Sequence, residues 1–463
     1  MNAKLFRLVV VAWVMSAPQS SIAQEDLLNI YQRALQNDPI IRAAENIYFA
    51  ELESRPQARS GLLPQLSFSA GAATSYSEDL NPTTDFQTGE TSSTIIGTET
   101  DRDSTNFSLN LNQTIFDRTQ LVAYRQSDKR VARALTDYEL AKQELLIRVS
   151  ESYFDVLAAE DTLTAEEAAR EAIGRQLEQA ERRFEVGLIA ITDVQESQAG
   201  YDLAIATEIS AQRSLATSRE FLREIVGEYI SELAGPAEEI PLTTPEPADA
   251  DEWVRVSLEQ NLALNSSRIA AEIAQDDIDI QRGSRLPSIQ LRGSYSESES
   301  DTIRNSIFGN GGELPRSFTS SPAGFNFSIN LSIPIYTGGF NSSRIQQAVY
   351  QYRASMETLE RIARQTERQT RDAYLGVISE ISRVQALRQA VQSSETALQA
   401  TEAGFEVGTR TTVDVLVSQN TLARAQTNFA RSRYDYILNI LRLKQAAGSL
   451  TIEDLDEVND WLE

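Results

Sequence analysis

Residues 184–193 read FEVGLIAITD, and residues 405–414 read FEVGTRTTVD. The second copy follows the first at an offset of 221 positions, without a gap. The echo continues upstream. LLPQLSFSAG at 62–71 answers RLPSIQLRGS at 285–294, and FSLNLNQTIF at 107–116 answers FSINLSIPIY at 327–336, all at offsets between 220 and 223. Such a chain is one structural unit written twice, and its fold must give both copies equivalent roles.

Proline placement says what the unit contains. No proline lies between Pro82 and Pro236, and none follows Pro334. In the first of these tracts Val131, Leu135, Tyr138, Ala141, Leu145, Val149, Tyr153 and Val156 recur at steps of three and four, the apolar stripe of a helix. The pattern predicts a helix over about 118–185 and its counterpart over about 341–406, each roughly 100 Å long at 1.5 Å per residue. Ordinary helices average about a dozen residues, so these need equally long partners, as in a coiled coil or a helical barrel. Gly187 and Gly408 fall where the helices should stop, since glycine accepts the left-handed conformation of a helix C-terminus. Asp193 and Asp414 then fall in the first turn of the next helices, against the positive end of the helix dipole. Positions 186–192 and 407–413 therefore read as helix–turn–helix tips, and capping alone accounts for these glycines and aspartates.

Four strands are predicted, at about 63–75, 105–116, 286–297 and 325–336. Phe107, Leu109, Leu111 and Ile115 share one face, opposite Ser108, Asn110, Asn112 and Thr114. Phe325, Phe327, Ile329, Leu331, Ile333 and Ile335 share a face opposite Asn326, Ser328, Asn330 and Ser332. Leu66, Phe68, Ala70 and Ala72, and Ile289, Leu291 and Tyr295, alternate with polar or small residues in the same way. Segments of about ten residues with this alternation suit an outer-membrane barrel with a wet lumen. A single such strand would equally suit a sheet resting on a soluble core. Four in agreement favour the barrel. Four strands cannot close one, because known barrels need at least about eight and lipid tolerates no open edge. Two copies would supply eight strands and three would supply twelve, and the residues alone leave that choice open. Polar stretches at 77–104 and 296–324 read as surface loops, and 236–250 as a linker between the repeats 24–235 and 251–463. Gly448 reads as a helix stop before a short acidic amphipathic segment within 444–463.

Composition narrows the chemistry. The 463 residues include no cysteine and no histidine, which removes disulfides, thiolate nucleophiles, Cys/His metal sites and imidazole bases. Asp and Glu outnumber Lys and Arg by 67 to 42, against a nucleic-acid partner, which needs clustered positive charge. The first 23 residues have a basic start at Lys4 and Arg7, a short apolar run from Leu8 to Met15, and a small-x-small site at Ser21-Ile22-Ala23. They read as a cleaved export signal. Without cysteine at the junction, a lipid anchor is excluded.

The duplicated helix–strand–strand–helix unit resembles the TolC-like outer membrane efflux proteins over the whole mature chain. The most specific marks are RRFEVGLIAITDVQESQAGYDLA at 182–204, GFEVGTRTTVDVLVSQNTLARAQTNFARSRYDYI at 404–437 and LKQAAGSL at 443–450. The resemblance implies a mostly α protein with transmembrane β. A homotrimer would form a twelve-stranded β-barrel in the outer membrane of a Gram-negative bacterium, continuous with a twelve-helix periplasmic α-barrel. It implies a passive exit duct for tripartite efflux pumps or type I secretion, without enzymatic activity or cofactor. Its partners would be outer membrane lipid, a periplasmic adaptor and an inner-membrane transporter of the RND, ABC or MFS type. Both sequence and resemblance leave the cargo open.

The same resemblance implies roles for particular residues. Arg410 matches an arginine that pairs with an aspartate at the position of Asp193, and Gln176 and Glu402 match a second linking pair. Asp414 matches a ring of aspartates at the constriction. Val417 stands where a second aspartate is known, and Phe405 where a tyrosine hydroxyl would bond to Asp193, which together imply a weaker closed lock. Gly187, Leu188, Gly408 and Thr409 would be docking points for the adaptor. Two other classes fit less well. An exported periplasmic coiled-coil scaffold without a pore leaves the strands without purpose, and an exported carboxylate-pair enzyme has no such pair in a cleft context.

Overall fold

The computed structural model describes residues 25–82, 95–237, 240–307 and 312–462. The export signal read at 1–23 lies outside these, as do 83–94 and 308–311 of the two stretches read as loops. In chain order the elements are α1 (Leu27–Asn37), α2 (Pro39–Leu52), α3 (Ser54–Ser60), β1 (Gln65–Pro82), β2 (Ile95–Phe116), α4 (Arg118–Glu185), α5 (Ile191–Val226), α6 (Ala250–Gln260), α7 (Leu262–Gly283), β3 (Ser288–Ile307), β4 (Glu313–Ser320), β5 (Ala323–Ser332), α8 (Phe340–Glu406), α9 (Thr412–Ala447) and α10 (Ile452–Asn459). The described residues are mostly helical, with one sheet. It divides into two compact units, Ala44–Glu139 with Leu262–Gln365, and Met1–Ala43 with Leu140–Asn261 and Thr366–Glu463.

The first of these units holds the whole sheet. β1 pairs antiparallel with β2, and β2 with β3. β3 pairs with β4 along Ser300–Ile307 and with β5 along Ser288–Glu297, so β4 and β5 are successive stretches of a single stave. The interruption falls at Ser321-Pro322, where proline has no N–H for the ladder. Ser298 still donates to the Pro322 carbonyl at 3.0 Å, which keeps the two stretches in line. β5 stops at Ser332, two residues before Pro334, so Ile333 and Ile335 lie beyond the ladder rather than within a strand reaching 336. At the other end β1, β2 and β3 run far into the stretches read as loops, to Pro82, from Ile95 and to Ile307. Those extensions are mostly polar, with Tyr76, Ile303 and Ile307 too scattered to continue the apolar alternation that marks the remainder, while the backbone ladder continues.

The helices of this unit are pinned by polar contacts. Lys129 on α4 bridges Asp276 at 2.9 Å and Glu272 at 3.4 Å on α7. One turn earlier Gln126 donates to the Ile273 carbonyl and to Asp277. Tyr48 on α2 stacks on Tyr138 of α4, with ring centroids 5.9 Å apart.

The second unit packs the remainder of α4 and α8 with α1, α5, α6, α9 and α10. The α4 stripe is fully buried here at Leu145, Val149, Tyr153 and Val156, whereas Leu135, in the sheet-bearing unit, is 42% exposed. Tyr153 donates to the Ala234 carbonyl at 2.6 Å. Tyr434 on α9 donates to Asp161 on α4 at 2.6 Å and stacks on Phe154. The linker is held down: the Tyr436 hydroxyl accepts from the Thr243 N–H at 2.9 Å and lies near the carbonyls of Pro241 and Thr243. α10 buries Leu455 and Val458, and the following backbone is bridged to Pro236.

α9 ends at Gly448 with φ +78°, in the two-bond pattern that closes many helices: the Gly448 N–H donates to Gln445 and the Ser449 N–H to Lys444. A side chain there would bring its Cβ within 2.5 Å of the Gln260 carbonyl oxygen, a backbone atom that cannot swing away. Gly448→Ala should therefore cost more than the roughly 1–2 kcal/mol of a left-handed non-glycine residue. A clear fall in melting temperature is the expected result, and an unchanged one would contradict this packing.

Candidate functional site

The two repeated phrases fold into two bends of one design. At the first, the Gly187 N–H donates to Phe184 and the Leu188 N–H to Arg183, each at 2.8 Å. At the second, the Gly408 N–H donates to Phe405 at 3.1 Å and the Thr409 N–H to Gly404 at 2.8 Å. Gly187 and Gly408 take φ of +75° and +77°. No atom lies within 4 Å of an added Cβ at either, so the backbone angle rather than space demands glycine.

The helix starts after the bends differ. Thr411 caps α9, with its hydroxyl accepting from the Asp414 N–H at 3.3 Å. Asp414 reaches back to the Thr411 N–H at 2.9 Å and hydroxyl at 3.0 Å, completing a reciprocal box. The corresponding position before α5 is Ala190, which has no hydroxyl, and Asp193 alone accepts from the Ala190 N–H at 3.3 Å. The Asp414 carboxyl is held below its ordinary value of 3.8, first by the Thr411 backbone N–H, then by its hydroxyl, with a smaller contribution from the Arg410 charge.

Arg410 folds back across the last turn of α8. A Cβ on Gly404 would lie 2.8 Å from the Arg410 Cγ, so the missing side chain makes room for the arginine stem. Among the described residues Arg410 makes no ion pair with Asp193 within the chain. Gln176 is buried with its Nε2 unpartnered, while Glu402 on α8 is exposed, and no hydrogen bond joins them within the chain among the described residues. Asp414 and Val417 lie one turn apart on α9, with Val417 59% exposed. The hairpins meet where Leu416 of α9 packs against Ile173 of α4 and Ala204 of α5. At Gly200 on α5 a Cβ would lie 3.0 Å from the Leu416 side chain.

Sequence reasoning does not reach two features of the site. Val186, Leu188 and Val407 stand 70–75% exposed at the bends, an apolar surface rimmed by charge. The letters F-E-V-G carry it, but beside a helix-ending glycine they signal only a helix stop. Arg183, in the last turn of α4, places its guanidinium 4.7 Å from the ring centroid of Phe405. No helix among the described residues is long and apolar enough to cross a membrane. None of their acidic side chains group to hold a metal ion.

A duplicated unit, paired glycine bends and an amphipathic antiparallel sheet suit an outer-membrane component, and comparison with known proteins agrees. The chain matches the outer membrane efflux protein family over residues 30–228 and 253–449, and it belongs to that family. It is 34% identical over 461 residues to the outer membrane protein TolC of Vibrio cholerae, covering 99% of this chain and 98% of the relative. It is 30% identical to the alkaline protease secretion protein AprF of Pseudomonas aeruginosa, over 93% of this chain and 86% of the relative. Its fold matches the Campylobacter jejuni CmeC outer membrane channel with a TM-score of 0.73, at 16% identity and over 100% and 98% of the two chains. Like its family, it is an outer-membrane protein of efflux and secretion.

The capping box at Thr411 gives a local test. Thr411→Ala should speed amide exchange in the first turn of α9 by on the order of fivefold, the effect of losing one helix cap. Because the Asp414 carboxyl titrates below 3.8, its contribution is present above that pH and is lost as pH falls through the depressed value. Exchange at Asp414 and Val415 should accelerate only in strong acid, and a turn that grows firmer on acidification would contradict the box.

Proposed function

We propose that three copies of this chain close a twelve-stranded barrel in the outer membrane and form the passive exit duct of an efflux or type I secretion system. The observation that carries this is the open sheet. β1 pairs only with β2 among the described residues, and β4 and β5 only with β3, so each protomer presents two unpaired edges. On one face of the same sheet Leu66, Phe68, Phe107, Leu109, Tyr295, Phe325, Phe327, Ile329 and Leu331 are all exposed. An apolar face beside unsatisfied edges suits lipid only if copies join edge to edge. The scaffold reading gives that face no role.

In the trimer the helical unit of each protomer would contribute to a periplasmic α-barrel ending at the glycine bends, which act as the gate. Arg410 and Asp193, unpaired with each other within a chain, would link neighbouring protomers; Glu402 is exposed for such a link, whereas the Gln176 amide, buried within its own protomer, would have to turn outward to join it. Asp414 would contribute one ring of three carboxylates, with the exposed Val417 beside it as an apolar constriction that can exclude water. The exposed Val186, Leu188 and Val407 beside Gly187, Gly408 and Thr409 would receive the helical hairpins of a periplasmic adaptor, itself bound to an RND, ABC or MFS transporter. The net charge of −25 favours cations in the lumen.

Planar-bilayer recording tests the duct. The purified protein should give discrete, cation-selective conductance with a small closed-state current. Arg410→Ser should raise that current severalfold, and an unchanged value would remove Arg410 from the gate. Phe327→Lys places a charge on the lipid face at a cost of about 2–4 kcal/mol near the bilayer centre, and should sharply reduce insertion. Insertion at the wild-type level would mean that this face does not meet lipid.

A further inference from the structure

Phe405 is 7% exposed, although Glu406, Val407 and Gly408 immediately after it are exposed. Arg183, whose guanidinium carbon lies 4.7 Å from the ring centroid, reaches it from the end of α4. The contact therefore runs from the first hairpin to the second, at the last turn of each long helix. The neighbouring arginine, Arg182, is engaged by Glu178 on its own helix. Arg183 has no ion pair among the described residues, and its partner is the ring.

The repeat shows that this is not a generic feature of the bend. At the offset of 221, Arg183 corresponds to Gly404 and Phe405 to Phe184. Gly404 is the position over which Arg410 lies, and Phe184 is 42% exposed. The two bends have thus diverged in a complementary way: one supplies a guanidinium that reaches across, and the other a buried ring to receive it.

We propose that the Arg183–Phe405 cation–π contact is a positioning pair that holds the two hairpins of each protomer together and biases the periplasmic gate toward its closed state. The inference rests on the reading of the glycine bends as a gate. A ring without a hydroxyl cannot hydrogen-bond to Asp193, but its face attracts a guanidinium through the ring quadrupole. Losing one such contact should shift an opening equilibrium roughly threefold, and three symmetric protomers acting together should shift it by tenfold or more.

The test is closed-state conductance of the full-length trimer in planar bilayers, with assembly checked by native electrophoresis. Arg183→Gln and Phe405→Leu, which keeps the site apolar, should each raise the closed-state current on the order of tenfold while assembly stays unchanged. The double variant should conduct no more than the larger single variant, because both remove the same contact. Phe405→Tyr, which keeps the ring and adds a hydroxyl that can bond to Asp193, should not raise the current more than about twofold above that of the unaltered protein. Wild-type current in both single variants would overturn the pair, as would a double variant whose increase equals the product of the two. Failure of the unaltered protein to conduct would instead overturn the duct reading and the pair's role with it.

Discussion

An unpaired strand edge cannot rest in hydrocarbon, because its N–H and C=O groups would have neither water nor partner. For an outer-membrane protein with this sheet, that constraint governs how the sheet can be completed. The sheet is open at β1 and at the β4–β5 stave, and one of its faces is apolar. A single protomer is therefore an unfinished object in a membrane. Equivalent copies can satisfy one another's edges in a closed ring, and a closed ring of amphipathic strands has a hollow centre. On the proposed reading, pore, oligomer and membrane location would be one physical solution rather than three separate properties.

Duplication supplies the second theme. Two copies of one unit give two nearly identical glycine bends, down to the pattern of backbone hydrogen bonds. Their side chains have drifted apart. One helix start keeps its hydroxyl cap at Thr411 while the other has Ala190. One bend presents Arg183, the other Phe405 and Arg410. Backbone geometry is held by glycine and helix termination, which leaves the surrounding positions available for contacts that differ between the two bends.

Much of this architecture is legible in the amino-acid sequence. Gly187 and Gly408 announce the bends because few other residues accept positive φ, and the long proline-free tracts announce α4 and α8. The apolar rows at Phe107–Leu111 and Phe325–Leu331 announce strands because a strand turns alternate side chains to opposite faces, and only one face here is apolar. What stays hidden has a physical cause in each case. The strand extensions through Ser296–Ile307 and Ile95–Thr105 carry too few apolar residues to set a phase, so little but the backbone ladder marks them. The break at Pro322 depends on which partner its missing N–H would face. The Arg183–Phe405 contact joins residues from different hairpins, and no local pattern encodes it. The missing cap at Ala190 is readable, but only by laying one repeat over the other.

Those strand extensions carry a consequence for release. The apolar rows on β2 and β3 give way to Thr105, Asp103 and Asp101, and to Glu297, Glu299 and Asp301, about ten residues before the strands end. In a closed barrel, at about 3.3 Å per residue and a tilt near 40°, that polar stretch would stand roughly 25 Å above the hydrocarbon. In the proposed barrel, whatever travels through would be discharged from a raised spout that carries Asp101, Asp103, Glu297, Glu299 and Asp301, clear of the lipid headgroups around its base.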